Sequence, residues 1–221
     1  MKYFKCHPYR YTKFFRSFQH LFRYTPAEEI LNKVMRYVEK TKLKGDYLEF
    51  GVYNGTSFIS AIKFSRLYKL NDMRFFAFDS FKGLPEVKGK ESGFFKKGDC
   101  YCNIKEFRRN LIQKKAYSNR VKIVQGWFDK VLTNNKKKAD FHINKASVIM
   151  IDCDIYKSAI PVFKFIKSYL QDGTVLIFDD WFYGGEKRAF EEWLKQNKDI
   201  KVTEFHKYGW NGNSFIVNLN E

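Results

Sequence analysis

Two apolar runs in this chain end in carboxylates. Val148–Ile151 runs into Asp152 and Asp154, two positions apart, and Thr174–Phe178 ends in Asp179 and Asp180. Short runs of this kind, rich in Val, Ile and Leu, read as strands buried on both faces. In an open α/β sheet, ligands bind just beyond the carboxyl ends of the strands. Four carboxylates gathered at such an edge repel one another and resist desolvation, so a cation is expected among them. A hard cation held by three acids can bind a hydroxyl, lower its pKa and fix its direction. A fourth acid can then take the proton. The plainer alternative is that each acid caps the helix following its strand.

A second candidate is the glycine segment Glu49-Phe50-Gly51-Val52-Tyr53-Asn54-Gly55-Thr56-Ser57. Glycines here would let the backbone approach a ligand, and the helix N-terminus beyond them favours an anionic group. The segment has neither the G-K-[ST] of a phosphate loop nor G-x-G-x-x-G, so a dinucleotide is weakly supported. A plain tight turn would also explain it. Asp79, at the end of the next apolar run, could accept both hydroxyls of a ribose. A loop closing on a zwitterion, together with a ribose clamp, fits S-adenosylmethionine better than a dinucleotide.

The elements that must position these residues alternate between strand and helix, which predicts a mainly parallel sheet. Thr25-Pro26-Ala27-Glu28 is a capping box with proline at the first helical position, opening a helix to about Lys40. Strands are expected at Tyr47–Val52, Phe75–Phe78, Val121–Val124, Val148–Ile151 and Thr174–Phe178. Helices are expected after Gly55, from Asn103 to Lys115, after Asp154 with Pro161 in the first turn, and around Ala189–Leu194. Lys201–Phe205 and Ser214–Leu219 alternate as an antiparallel edge pair. Pro85–Asp99, with Gly89, Gly93 and Gly98, is a long insertion of the kind that forms a lid or a disordered loop.

A length of 221 residues, 44% hydrophobic, suits one globular domain. Residues 1–24, with six Lys/Arg, nine aromatics and no acid, read as a basic-aromatic arm before a domain at 25–221. Phe14, Phe15, Phe18 and Phe22 could pack that arm on the domain, and peripheral membrane contact through it stays open. No 18-residue apolar run and no secretory h-region is present. Four cysteines without a C-x-x-C pair point to reduced thiols in a cytosol. A net charge of +17 favours anionic partners, whether small molecules, nucleic acid or a membrane surface. A general enrichment in lysine, as in Lys136-Lys137-Lys138, is the bland alternative.

Several blocks resemble the macrocin O-methyltransferase family of class I methyltransferases. They are Asp46–Ser57, Phe78-Asp79-Ser80-Phe81-Lys82-Gly83-Leu84-Pro85, Gln125-Gly126-Trp127-Phe128, Ile151-Asp152-Cys153-Asp154-Ile155-Tyr156-Lys157-Ser158, and Gly173–Asp180. They follow the family's order over roughly residues 26–195. The resemblance implies an α/β fold: a Rossmann-like, mostly parallel seven-stranded sheet with an antiparallel edge hairpin. It also implies S-adenosylmethionine as donor, a divalent metal, usually Mg2+, and a sugar hydroxyl as acceptor. By motif, Glu49, Gly51, Tyr53, Gly55 and Ser57 would surround the methionine part. Asp79 would hold the ribose, with Ser80 beside it and Gln125, Gly126 and Trp127 near the adenine. Asp152, Asp179 and Asp180 match the metal-binding acids, Asp152 also bordering the donor, and Asp154 matches the general base.

The expected acceptor is a small sugar-containing molecule, such as a glycan precursor, a nucleotide-linked sugar or a glycosylated metabolite, and the basic chain suits an anionic one. Polysaccharide biosynthesis is one setting for such a reaction. RNA is disfavoured as substrate, since the key residues are acids and not a catalytic lysine, and no [ND]-P-P-[YF] follows the fourth strand. A catechol-like acceptor, a non-catalytic basic binding module and a homo-oligomer stay open. His206 is a weak candidate for proton transfer. Trp181-Phe182-Tyr183-Gly184-Gly185 would either wall the acceptor site or pack under the next helix.

Overall fold

The structure is a computed structural model that describes residues 24–134 and 140–219. Residues 1–23 and the lysine run at 136–138 lie outside the described residues, so the arm and its packing or membrane role are not placed.

Thr25 opens the first helix, α1 (Pro26–Thr41), through the capping box expected for it. The Glu28 backbone N–H donates to Thr25 Oγ1 at 3.2 Å, and the Thr25 N–H donates to Glu28 Oε2 at 3.0 Å. The chain continues as β1 (Asp46–Phe50), α2 (Thr56–Leu67), β2 (Phe75–Asp79), α3 (Ile104–Gln113) and β3 (Val121–Gln125). There follow α4 (Phe128–Val131), β4 (Ala146–Ile151), α5 (Tyr156–Ile166), β5 (Val175–Phe178), α6 (Glu186–Gln196), β6 (Ile200–Tyr208) and β7 (Gly212–Leu219).

The seven strands form one sheet in the order β3-β2-β1-β4-β5-β7-β6. The first five are parallel, and β7 runs antiparallel between β5 and β6. This is the α/β class expected from the alternating pattern. Side-chain alternation sends Phe50, Phe78, Ile151 and Phe178 to one face, under α5 and α6. Tyr47, Phe75, Met150 and Ile177 go to the other, under α1, α2 and α3. A sheet covered on both faces explains why its strands read as continuous apolar runs.

Two expectations are corrected. The first strand stops at Phe50, not Val52, because Gly51 turns the chain at φ +87°. Pro161 lies inside α5, beyond its first turn, since that helix starts at Tyr156. Its ring nitrogen cannot donate to the Lys157 carbonyl, so the helix tolerates one missing bond there. The insertion after Pro85 is folded against the domain. Phe95 packs with Leu84 and Ile155, next to Asp154. A single 3₁₀ turn at Gly89–Gly93 carries Glu91, whose Oε1 accepts the Tyr156 N–H at 2.8 Å.

Candidate active site

A cavity of about 350 Å³ opens at the carboxyl ends of β1, β2, β3 and β4. Of the residues predicted to hold a donor, Gly51, Tyr53, Asp79, Ser80, Gly126, Trp127 and Asp152 line it, as does Asp154. Gly51 sits so close to β4 that a Cβ there would lie 1.7 Å from the Asp152 carbonyl oxygen. Only glycine permits both that approach and its φ. Gly55 does not line the cavity. It precedes α2 at φ +89°, and a Cβ would meet the Phe107 ring at 2.8 Å.

Asp79 has its oxygens partly engaged by the glycine loop. The N–H groups of Val52 and Tyr53 donate to Oδ2 at 2.9 and 3.2 Å, and that of Phe81 donates to Oδ1 at 2.7 Å. Burial raises its pKa and these backbone donors oppose the rise. One carboxylate thus ties the β1 and β2 loops together at the cavity wall.

Glu49 and Ser57 are absent from the cavity lining, and Gln125 is exposed at the end of β3. Glu49 is fully buried, accepting from the Tyr47 hydroxyl at 2.5 Å and the Ser57 hydroxyl at 2.6 Å. Burial lifts its pKa to about 7, against the two hydroxyl donors and with help from Asp179 and Asp79. A carboxyl whose pKa is higher folded than unfolded contributes stability that is complete below its unfolded pKa, ordinarily 4.5, and lost as pH rises through about 7. In the cation-free protein, Glu49→Gln is therefore expected to gain on the parent by up to about 3 kcal/mol between pH 4.5 and 7. Urea unfolding across that range checks this, and parallel curves would refute it.

The acids expected at the sheet edge do converge, in a different grouping. Carboxylate oxygens of Asp152, Asp154 and Asp180 lie within 4.8 Å of one another. Asp179 is not in that set, and its Oδ1 accepts from the Tyr208 hydroxyl at 3.2 Å. Asp154 adopts φ +60° just after β4, while Asp179 is held by a hydroxyl from a distant strand. Burial raises the Asp152 pKa well above the carboxylate range, reinforced by repulsion from Asp179, Asp154, Asp180 and Glu186.

Asp180 is 2% exposed; its Oδ1 accepts from Asn211 Nδ2 at 2.5 Å, and its Oδ2 is buried with no hydrogen-bond partner among the described residues. An unpartnered buried carboxylate oxygen beside two more carboxylates is the environment that a divalent cation satisfies. The donor set, all oxygen, suits Mg2+ or Mn2+ better than a thiophilic metal.

Sequence reasoning missed Glu186, Tyr208 and Asn211. Tyr208 and Asn211 reach Asp179 and Asp180 from 29 and 31 residues away, Glu186 reaches Asp154 from 32 though Asp180 from only six, and none stands in a motif. It also joined Trp181 to its neighbours, which the structure separates. Trp181 is buried against Phe178, Phe190 and Phe215, whereas Phe182 and Tyr183 are 50% and 45% exposed. Trp210, in the β6–β7 turn, is 70% exposed. His206 is exposed on β6 and does not line the cavity. Among the described residues no helix is long and apolar enough to cross a membrane.

A family model for macrocin O-methyltransferase (TylF) matches residues 28–212. Mycinamicin III 3''-O-methyltransferase of Micromonospora griseorubida is 24% identical over 179 residues, 74% of this chain and 66% of that protein. The 8-demethyl-8-(2,3-dimethoxy-alpha-L-rhamnosyl)-tetracenomycin-C 4'-O-methyltransferase of Streptomyces olivaceus is 25% identical over 144 residues, 62% of this chain and 53% of that protein. The matched regions thus span 66% and 53% of the lengths of these curated relatives. Among solved structures, the O-methyltransferase NovP shares the fold with a TM-score of 0.74, covering 86% of this chain and 79% of that one at 20% identity.

Proposed function

This chain belongs to the macrocin O-methyltransferase family, and on that footing we propose that it moves a methyl group from S-adenosylmethionine to a sugar hydroxyl with the help of a divalent cation. The observation that carries the cation is the buried Asp180 Oδ2, unpartnered among the described residues and grouped with Asp152 and Asp154, which line the cavity. Mg2+ is the simplest occupant. These three acids would hold it, in place of the Asp152, Asp179 and Asp180 set expected from the sequence. When bound, such a cation lowers the pKa of a hydroxyl and orients it.

The chain's own residues supply the rest. Gly51, Tyr53, Asp79, Ser80, Gly126 and Trp127 form the donor side of the cavity. The lid residue Phe95, packed on Leu84 and Ile155, keeps water from the sheet edge. Methyl transfer asks for an oxygen in line with the sulfonium and little covalent work by the protein, so positioning dominates. Asp154 lines the cavity and is the acid placed to accept the acceptor's proton.

Phe182, Tyr183 and Trp210 support a sugar on the acceptor side. Asn211 bridges them to the acids: its side-chain oxygen accepts the Phe182 N–H at 2.9 Å while its nitrogen holds Asp180. Exposed aromatic faces beside a catalytic edge suit the apolar face of a pyranose. Lys130 and Lys157 also line the cavity. Lys157 lies in the first turn of α5, where a cation opposes the helix dipole, and an anionic group on the acceptor would offset that.

A donor-consumption screen over nucleotide-linked rhamnose, free rhamnosides and glycan fragments tests the reading, run with Mg2+ and with excess chelator. Turnover on at least one sugar is expected, falling at least a hundredfold on chelation. Full turnover in chelator would remove the cation from the proposal. Methyl transfer to a catechol and to no sugar would replace the acceptor.

A further inference from the structure

One buried carboxylate joins the tips of β4 and β5. Glu186, the first residue of α6, is 0% exposed. Its Oε1 accepts the N–H groups of Cys153 at 2.7 Å and Asp154 at 3.2 Å, and its Oε2 accepts the Asp180 N–H at 3.3 Å. Those amides belong to Asp154, to Asp180, and to the residue between Asp152 and Asp154. The two glycines before it bring the helix into reach. The Gly185 N–H donates to the Asp154 carbonyl at 2.9 Å, and the Gly184 N–H to the Asp180 carbonyl at 3.0 Å. A Cβ at Gly184 would lie 2.4 Å from the Asp154 carbonyl oxygen, and one at Gly185 2.0 Å from the Tyr156 nitrogen.

A fifth acid among four others is electrostatically unfavourable, so its presence needs a reason that a neutral residue cannot meet. Geometry supplies one. All three groups facing Glu186 are donors, and only a carboxylate accepts at both ends. A glutamine would turn an amide NH2 against one of the strand tips. Asparagine or aspartate would be one methylene too short to bridge them.

We propose that Glu186 is a positioning residue that sets the spacing of Asp152 and Asp154 against Asp180, and so sets the affinity of the site for a divalent cation. This rests on the reading above that those three acids hold the cation. Glu186 itself stands outside the group of three that could hold the ion.

Calorimetric titration with Mn2+ tests this on the full chain, comparing the parent with Glu186→Gln and Glu186→Asp. S-adenosylhomocysteine binding and the melting temperature are measured in parallel. Both variants are expected to raise the Mn2+ Kd by roughly 10- to 100-fold, the usual cost of losing a group that orients metal ligands. The S-adenosylhomocysteine Kd is expected to stay within about twofold because, of the predicted donor residues lining the cavity, only Asp152 follows β4, the others lying at or after the ends of β1, β2 and β3. If the parent binds no Mn2+, the cation reading falls and the role of Glu186 with it. If the parent binds and both variants bind equally well, only the role of Glu186 falls. Parent-like Mn2+ affinity in Glu186→Asp, with weakening in Glu186→Gln, would assign the effect to charge and overturn positioning. Proportional loss of Mn2+ and S-adenosylhomocysteine binding would make Glu186 a general scaffold residue and also overturn it. A measurement independent of the variants is amide exchange in the parent. Mg2+ is expected to slow the Cys153, Asp154 and Asp180 amides by at least tenfold, and unchanged exchange counts against the clasp.

Discussion

Asp154→Asn is expected to lower turnover by about 10²- to 10⁴-fold, the range a positioned general base supplies. The substitution is close to isosteric, and asparagine tolerates the left-handed φ of +60° that Asp154 adopts. The Asp154 N–H and C=O bonds to Glu186 and Gly185 belong to the backbone and survive the change. Donor affinity should therefore stay within about twofold, with the loss falling on kcat. Stability should move the other way. Asp154 is among the charges that hold the Asp152 pKa up, so removing it relieves repulsion in the cation-free protein. The sign follows from linkage: a carboxyl raised on folding loses stability as pH rises past its unfolded value, and that loss shrinks when a like charge is deleted. The expected outcome at pH 7 is a melting temperature equal to or above the parent's, alongside the collapse in kcat. Asp154 also belongs to the group of acids proposed to hold the cation, so Mn2+ affinity is measured alongside. A parent-like Kd with lost turnover assigns the loss to the proton acceptor, and undiminished turnover would reject that role. A large drop in melting temperature would mean that the side chain is structural.

Gly51→Ala is expected to be the most damaging single methyl in the chain. The added Cβ would lie 1.7 Å from the Asp152 carbonyl oxygen, a backbone atom that cannot rotate away. Gly51 is also at φ +87°, where an alanine is strained by about 1–2 kcal/mol whatever the space. Relief would require β1 and β4 to separate at their tips, breaking the Asp152 N–H bond to the Phe50 carbonyl at 2.9 Å. That gap is also where Gly51 and Asp152 meet the cavity, so donor binding should fail with stability. A loss of more than about 4 kcal/mol places the variant in the exceptional range for one substitution. Gly93→Ala is the matched control, since a Cβ there meets nothing within 4 Å and its φ lies outside the left-handed region. Chemical unfolding of both variants checks the contrast. A Gly51→Ala protein as stable as Gly93→Ala would refute the close approach.

Much of the fold was legible because its signals are local. Thr25 and Glu28 are three residues apart, and Asn103 caps α3 by accepting the Glu106 N–H at 2.9 Å. The apolar runs of β1, β2, β4 and β5 are continuous because both faces of the sheet are covered. The acids after β4 and β5 were readable for the complementary reason, since polar residues at a buried strand tip have few structural uses. Less legible was anything decided by how the tips meet. The shift from Asp179 to Asp154 in the carboxylate group depends on a backbone bend at Asp154 and on a hydroxyl from Tyr208, 29 residues beyond Asp179. Trp181 and Phe182 are neighbours of similar character, yet the turn after β5 buries one and exposes the other. In Glu49 and Ser57 the residue types were noticed correctly. The hydrogen bond between them, away from the cavity lining, could not be seen from spacing alone.

The amino-acid sequence by itself determined the strand and helix order, the glycine turn after β1, and the delivery of acids to one edge of the sheet. These follow from period, propensity and backbone sterics, which act over a few residues. Only the tertiary structure decided which three carboxylates come within 4.8 Å of one another, that Phe95 packs against Ile155, and that Glu186 spans two strand tips. Those depend on where distant segments come to rest, and a hydrogen bond or a repulsion between them leaves no mark at either position until the chain is folded.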